Sequence, residues 1–100
     1  MLITVTQGVV NAKQHQEVER FLRDFLPRLK RRQPGVIDAF HFHDESAQKS
    51  TTLILWQDEN ARNAYRESEL IKEAMAIEQR LGLSTSREAY PVTISTRDAD

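Results

Sequence analysis

Two of the three histidines in this sequence, His41 and His43, stand one residue apart inside a strand-like run, Val36 to Asp44. Alternation along a strand puts both rings on one face. An imidazole titrates near neutral pH and is the natural base for taking a proton from a phenol or quinol. The anion so formed can pass an electron to dioxygen. The His-x-His spacing also occurs in metal sites, but His15 falls on a helix and no carboxylate is aligned with the pair, so no metal is expected. A polar patch at a barrel mouth or at a subunit interface is the plainer account of both rings.

Aromatic residues supply the other candidates. Tyr65, on a short helix, has a hydroxyl that can hydrogen-bond a substrate oxygen as electron density builds there. A packed ring with its hydroxyl in water explains the same residue equally well. Trp56 ends a strand and can be a wall on which an aromatic substrate stacks, or a large core residue, or both. Asn60 and Asn63 can orient a carbonyl, although capping and surface roles suit them better. Met75 sits in a helical apolar stripe, where core packing is the ordinary role. The candidate set is therefore His41, His43 and Tyr65 for catalysis, with Trp56, Asn60 and Met75 for substrate contact.

The elements that must hold these residues can be read in order. Leu2 to Val10 is rich in β-branched residues and short, as a strand is. Gly8 marks a bulge there or loosens its end. Asn11 caps a helix, and Gln14 three residues on completes a capping box. Val18, Phe21, Leu22, Phe25, Leu26 and Leu29 form one stripe. Pro27 is expected to kink the helix rather than end it. The basic run Arg28, Lys30, Arg31, Arg32 suits a helix C-terminus, and Pro34-Gly35 stops the helix. In the second strand, Val36 to Asp44, alternation groups Val36, Asp38, Phe40 and Phe42 against Ile37, Ala39, His41 and His43. Thr51 to Gln57 returns as the third strand. Asp58 caps a helix to Arg66, Ser68 caps another, and Gly82 stops it. Arg87 to Ser95 is the last strand, placed at an edge or bulged by Pro91. Residues 96–100 read as a frayed tail.

Strand, helix, strand, strand, helix, strand is the ferredoxin-like, split βαβ order, an α+β fold on an antiparallel sheet. One hundred residues make one domain, 1–100, with a thin core. Helices cover one sheet face, and a second copy of the sheet is the simplest cover for the other, giving a homodimer. Fifteen acidic residues nearly balance fourteen basic ones, so nucleic acid is not an expected partner. The absence of cysteine excludes disulfides and thiolate chemistry. No signal peptide and no membrane span is read, so the expected location is cytoplasmic.

Three features taken in order give the chain a family likeness. They are the helix ending in Gln33-Pro34-Gly35 before an aromatic strand, the junction Leu55-Trp56-Gln57-Asp58-Glu59-Asn60-Ala61, and the helix that breaks and restarts near Ser68. With them the chain resembles the antibiotic biosynthesis monooxygenase family of the dimeric α+β barrel superfamily, from residue 2 to residue 95. The resemblance implies that the sheets of a dimer form a barrel, with a pocket between sheet and helices in each subunit. It also implies oxygenation of small electron-rich quinols, anthrones or phenols without a cofactor, neither metal nor flavin. A haem-degrading branch has an Asn, a Trp and a His where this chain has Thr4, Val5 or Thr6, then Tyr65, then Met75, so haem degradation is not implied. The rival expectation is a non-catalytic dimer of the same fold that binds or senses a small molecule. A structural module that binds partners through its helix faces is a weaker third.

Overall fold

The caps read from sequence close the helices as chemistry requires. The computed structural model describes residues 1–98. Asn11 accepts from the Gln14 backbone N–H at 2.8 Å, and the Gln14 side chain accepts from the Asn11 N–H at 2.9 Å. This reciprocal box opens α1, Ala12–Arg32, which continues through Pro27. Asp58 accepts from the Ala61 N–H at 2.8 Å and opens α2, Glu59–Arg66. Ser68 opens α3, Glu69–Leu81, and Gly82 ends it in the left-handed conformation at φ 68°.

The strands are β1 (Leu2–Val9), β2 (Val36–Asp44), β3 (Lys49–Trp56) and β4 (Thr85–Pro91). They form one antiparallel sheet in the order β2-β3-β1-β4. This is the ferredoxin-like arrangement, with its second helix in two segments. Gly8 sits in unbroken register between Ser50 and Thr85, so β1 carries no bulge. Its lack of a side chain serves a close approach instead: a Cβ there would stand 3.0 Å from Thr85 Cγ2. Pro91 ends β4 on an edge, where a missing donor costs least.

Two expected details differ. Between Val36 and Asp38 the register of β2 shifts by a bulge. The extra residue turns Val36 into the core opposite Trp56, away from the side that Phe40 and Phe42 share. Lys30 at the end of α1 donates to the carbonyls of Val36 and Ile37 at 3.1 and 2.7 Å, which ties down the bulge. The last strand starts at Thr85 and ends at Pro91, because its ladder runs out with β1; the closing bond is Val92 N–H to the Met1 carbonyl. Ile94 is consequently exposed. Thr96–Asp98 forms a single 3-10 turn, and the rest of the expected tail lies outside the described residues.

The core lies between the sheet and the helices, built from Phe25, Leu29, Val36, Ile54, Trp56, Tyr65 and Leu70. Gly35 couples its two halves. It holds φ +87°, and a Cβ there would come within 2.4 Å of the Ala61 methyl on α2. Strain and overlap then act together. Gly35→Ala is expected to lower stability by about 2–4 kcal/mol, read as a shift in the urea midpoint.

Candidate active-site cavity

Register and alternation assign the two sheet faces. Thr4 and Thr6 of β1, Thr52 and Ile54 of β3, Ala39 and His41 of β2 and Ala89 of β4 share the helix-facing side. Above most of them lies a cavity of about 290 Å³. Its roof is the apolar stripe of α1, including Phe21, Leu22 and Phe25, with Ile71, Ala74 and Ile77 of α3. Polar groups enter from the sheet floor and the rim: Thr4, Thr6, Gln7, Ser50, Thr52 and His41 of β1, β2 and β3, Arg62, Tyr65 and Arg66 of α2, and Glu78, Thr85, Arg87 and Glu88 at the α3–β4 side. Arg87 donates to Glu78, so this pair largely neutralises itself. An apolar chamber with a few placed polar groups is the usual form of a small-molecule site.

His41 is partly buried, and its Nδ1 lies 3.0 Å from Thr52 Oγ1. Burial holds its pKa below the ordinary 6.5; Glu19 opposes that shift, and His15 and His43 add to it. The ring is therefore neutral at pH 7. In the tautomer that donates Nδ1–H to Thr52, Nε2 carries a lone pair, and no group among the described residues uses it. Tyr65 moves the opposite way in pKa and for the same reason: burial pushes its phenol up to about 12. At neutral pH it can only be a hydroxyl, a donor toward an oxygen that gains charge.

The remaining candidates lie elsewhere. Trp56 is wholly buried beneath the cavity rather than on its wall. Its indole N–H donates to Thr4 Oγ1 at 3.0 Å, and its ring packs on Tyr65 with centroids 5.2 Å apart. It thus supports two cavity residues from behind. Asn60 is exposed on the first turn of α2, and Met75 is 53% exposed on α3 rather than in the core stripe. The α3 face that meets the sheet is carried by Leu70, Ile71 and Ala74 instead. His43 sits beyond the cavity, 3.2 Å from Ser50 Oγ. Its ring stacks on His15 at 3.8 Å, and His15 Nε2 lies 2.8 Å from Glu19. All three histidines are thus gathered at one corner, although no cluster of three or more ligating side chains is arranged to hold a metal among the described residues.

Arg62 lines the cavity without being among the residues expected there, and His15, expected on a helix apart from the strand histidines, joins their corner. Both carried a signal. Arg62 is three residues before Tyr65 and shares its helix face, and His15 extends the stripe of Val18 and Leu22 by one turn.

No family model matches the chain, and no curated protein matches it. Solved structures do. A proposed antibiotic biosynthesis monooxygenase from Deinococcus radiodurans superposes with a TM-score of 0.83 over 95% of both chains, at 14% identity. The chain has the fold of the antibiotic biosynthesis monooxygenases. SnoaB, a cofactor-independent oxygenase from Streptomyces nogalater, shares that fold with a TM-score of 0.71 over 94% of both chains, at 12% identity. A conserved protein from Methanosarcina mazei matches at 0.77 over 92% of both chains, at 19% identity. At such identities the antibiotic biosynthesis monooxygenase fold is what these proteins share with the chain. No helix among the described residues is long and apolar enough to cross a membrane.

Proposed function

We propose that the protein is a cofactor-independent monooxygenase that oxidises a small electron-rich aromatic of the quinol, anthrone or phenol type. One observation carries the reading: a neutral imidazole and a protonated phenol share the wall of one cavity, roofed by the apolar stripe of α1. The fold likeness to SnoaB supports it. His41 takes a proton from the bound substrate, and Tyr65 donates to the oxygen on which charge collects. The carbanion or phenolate gives an electron to dioxygen, and the radical pair joins at the ring carbon as a hydroperoxide. Loss of water then leaves a carbonyl. One oxygen atom ends on carbon and the other in water, and every electron that dioxygen takes up comes from the substrate.

Oxygen uptake by chelator-treated protein over a panel of quinols, anthrones and simple phenols tests the reading, with autoxidation subtracted. Enzyme-dependent uptake with an oxygenated product supports it. Tyr65→Phe removes one neutral hydrogen bond to the developing charge and is expected to lower kcat about 10–100-fold with little change in KM. Wild-type turnover in that variant would remove Tyr65 from the mechanism.

The proposal includes a homodimer through the open sheet face. Phe40 and Phe42 lie on that side, at 56% and 52% exposure, with Tyr90 on the opposite edge strand and Val5 and Leu53 between. Apolar side chains gathered on a sheet face that no helix covers are the form of a buried interface. Light scattering at micromolar concentration is expected to give twice the chain mass; a monomer mass would contradict the dimer.

A further inference from the structure

Among the described residues, three buried side-chain nitrogens have no partner within the protein: His15 Nδ1, His41 Nε2 and Arg62 Nε. The last two belong to residues of the cavity wall, on opposite layers: His41 on the sheet and Arg62 on α2. A buried donor or acceptor left unpaired costs about 1–3 kcal/mol, so a native site with both tends to be one that a ligand completes. Their chemistry differs. His41 Nε2, with Nδ1 turned to Thr52, accepts a proton or a hydrogen bond. Arg62 Nε can only donate, and it carries positive charge. Its terminal nitrogen is 3.6 Å from Glu59, which is mostly exposed; this contact leaves the Nε–H unused. Arg66, one turn on, adds a second guanidinium to the same wall. The roof is apolar, carried by Phe21, Leu22 and Phe25; the carboxylates of the lining, Glu78 and Glu88, lie at the α3–β4 side, where Arg87 donates to Glu78.

We infer that the cavity takes an aromatic acid, a flat molecule whose hydroxyl donates to His41 Nε2 and whose carboxylate accepts from Arg62. A carboxylate is favoured over a neutral carbonyl because Arg62 is a fixed cation in a setting of low polarity, where a charge-assisted bond is strong. The volume limits the body to a small ring system, since about 290 Å³ lies at the lower end of ligand pockets. This inference shares with the proposed function only the identity of the site; no oxygen chemistry enters it.

The test is calorimetric titration of the wild-type protein with 6-hydroxy-2-naphthoate, its methyl ester and 6-methoxy-2-naphthoate, none of which needs to turn over. The acid is expected to bind at least about 10-fold more tightly than either analogue. Arg62→Gln is expected to weaken the acid about 10–100-fold and to leave the ester within about twofold, with Arg62→Lys in between. An ester that binds as well as the acid, no binding by any of the three, or equal weakening of acid and ester in Arg62→Gln would overturn the inference. The wild-type comparison stands even if a variant misfolds. Acid preference without oxygen uptake would sink the monooxygenase reading alone; uptake with no acid preference would sink this inference alone.

Discussion

His41→Gln is expected to lower kcat/KM by about 10²–10⁴-fold, the usual worth of a positioned general base, and to leave the fold intact. Glutamine keeps an amide that can meet Thr52 Oγ1, the 3.0 Å partner of the native ring, but it cannot take a proton at neutral pH. The pH profile separates this from a steric effect. Burial holds the folded-state pKa of His41 below 6.5, so the wild-type acid limb of kcat/KM lies below pH 6.5, and the variant has no such limb. Stability follows the same group. Its folded pKa is depressed, so its contribution is complete above pH 6.5 and is lost as pH falls from there through the folded pKa. Urea midpoints between pH 7 and 5 should therefore fall less steeply in His41→Gln than in wild type. The same comparison in His43→Ala is expected to leave kcat/KM near wild type, because that ring lies off the cavity against His15. A His43→Ala variant that loses activity as His41→Gln does would assign the base to the pair rather than to His41.

Trp56→Ala is expected to cost about 3–5 kcal/mol of stability. The indole is fully buried, donates to Thr4 at 3.0 Å and packs on Tyr65 at 5.2 Å. Its loss opens a hole between sheet and α2 and frees two residues of the cavity wall. Trp56→Phe keeps most of the packing and loses one hydrogen bond, so about 1–2 kcal/mol is expected. Denaturant unfolding of the three proteins checks both values. A Trp56→Ala protein as stable as wild type but unable to bind ligand would place the ring at the substrate instead of beneath it.

Local chemistry was the legible part of this sequence. Asn11 with Gln14, Asp58, Ser68 and Gly82 mark helix ends because a cap needs only residues within about one turn of it. The strand and helix order followed, and with it the ferredoxin-like sheet. The β2 bulge was not legible, since Ile37 looks like any strand residue until Lys30 and Trp56 impose the register. Long-range meetings were equally hidden. His15 and His43 are 28 positions apart (43 − 15), and nothing local says that their rings stack at 3.8 Å. In the candidate site, His41 and Tyr65 reach the cavity from their expected elements. Met75 does not, because the turn of α3 that faces the sheet is set by Leu70 and Ala74. Arg62 was hard to read because a charged helix residue beside Glu59 looks like a solvated pair; only the fold places the residue in the cavity wall and buries its Nε.

Oxygenation of an aromatic in this cavity by a protein base without a cofactor is a proposal that one isotope experiment decides. Turnover under labelled dioxygen, with chelator present, addresses it most directly. One labelled atom is expected in the product and the other in water, with the signal lost in His41→Gln. No enzyme-dependent label in any product across quinols, anthrones and phenols, from folded protein, would contradict it, as would labelling that His41→Gln leaves unchanged.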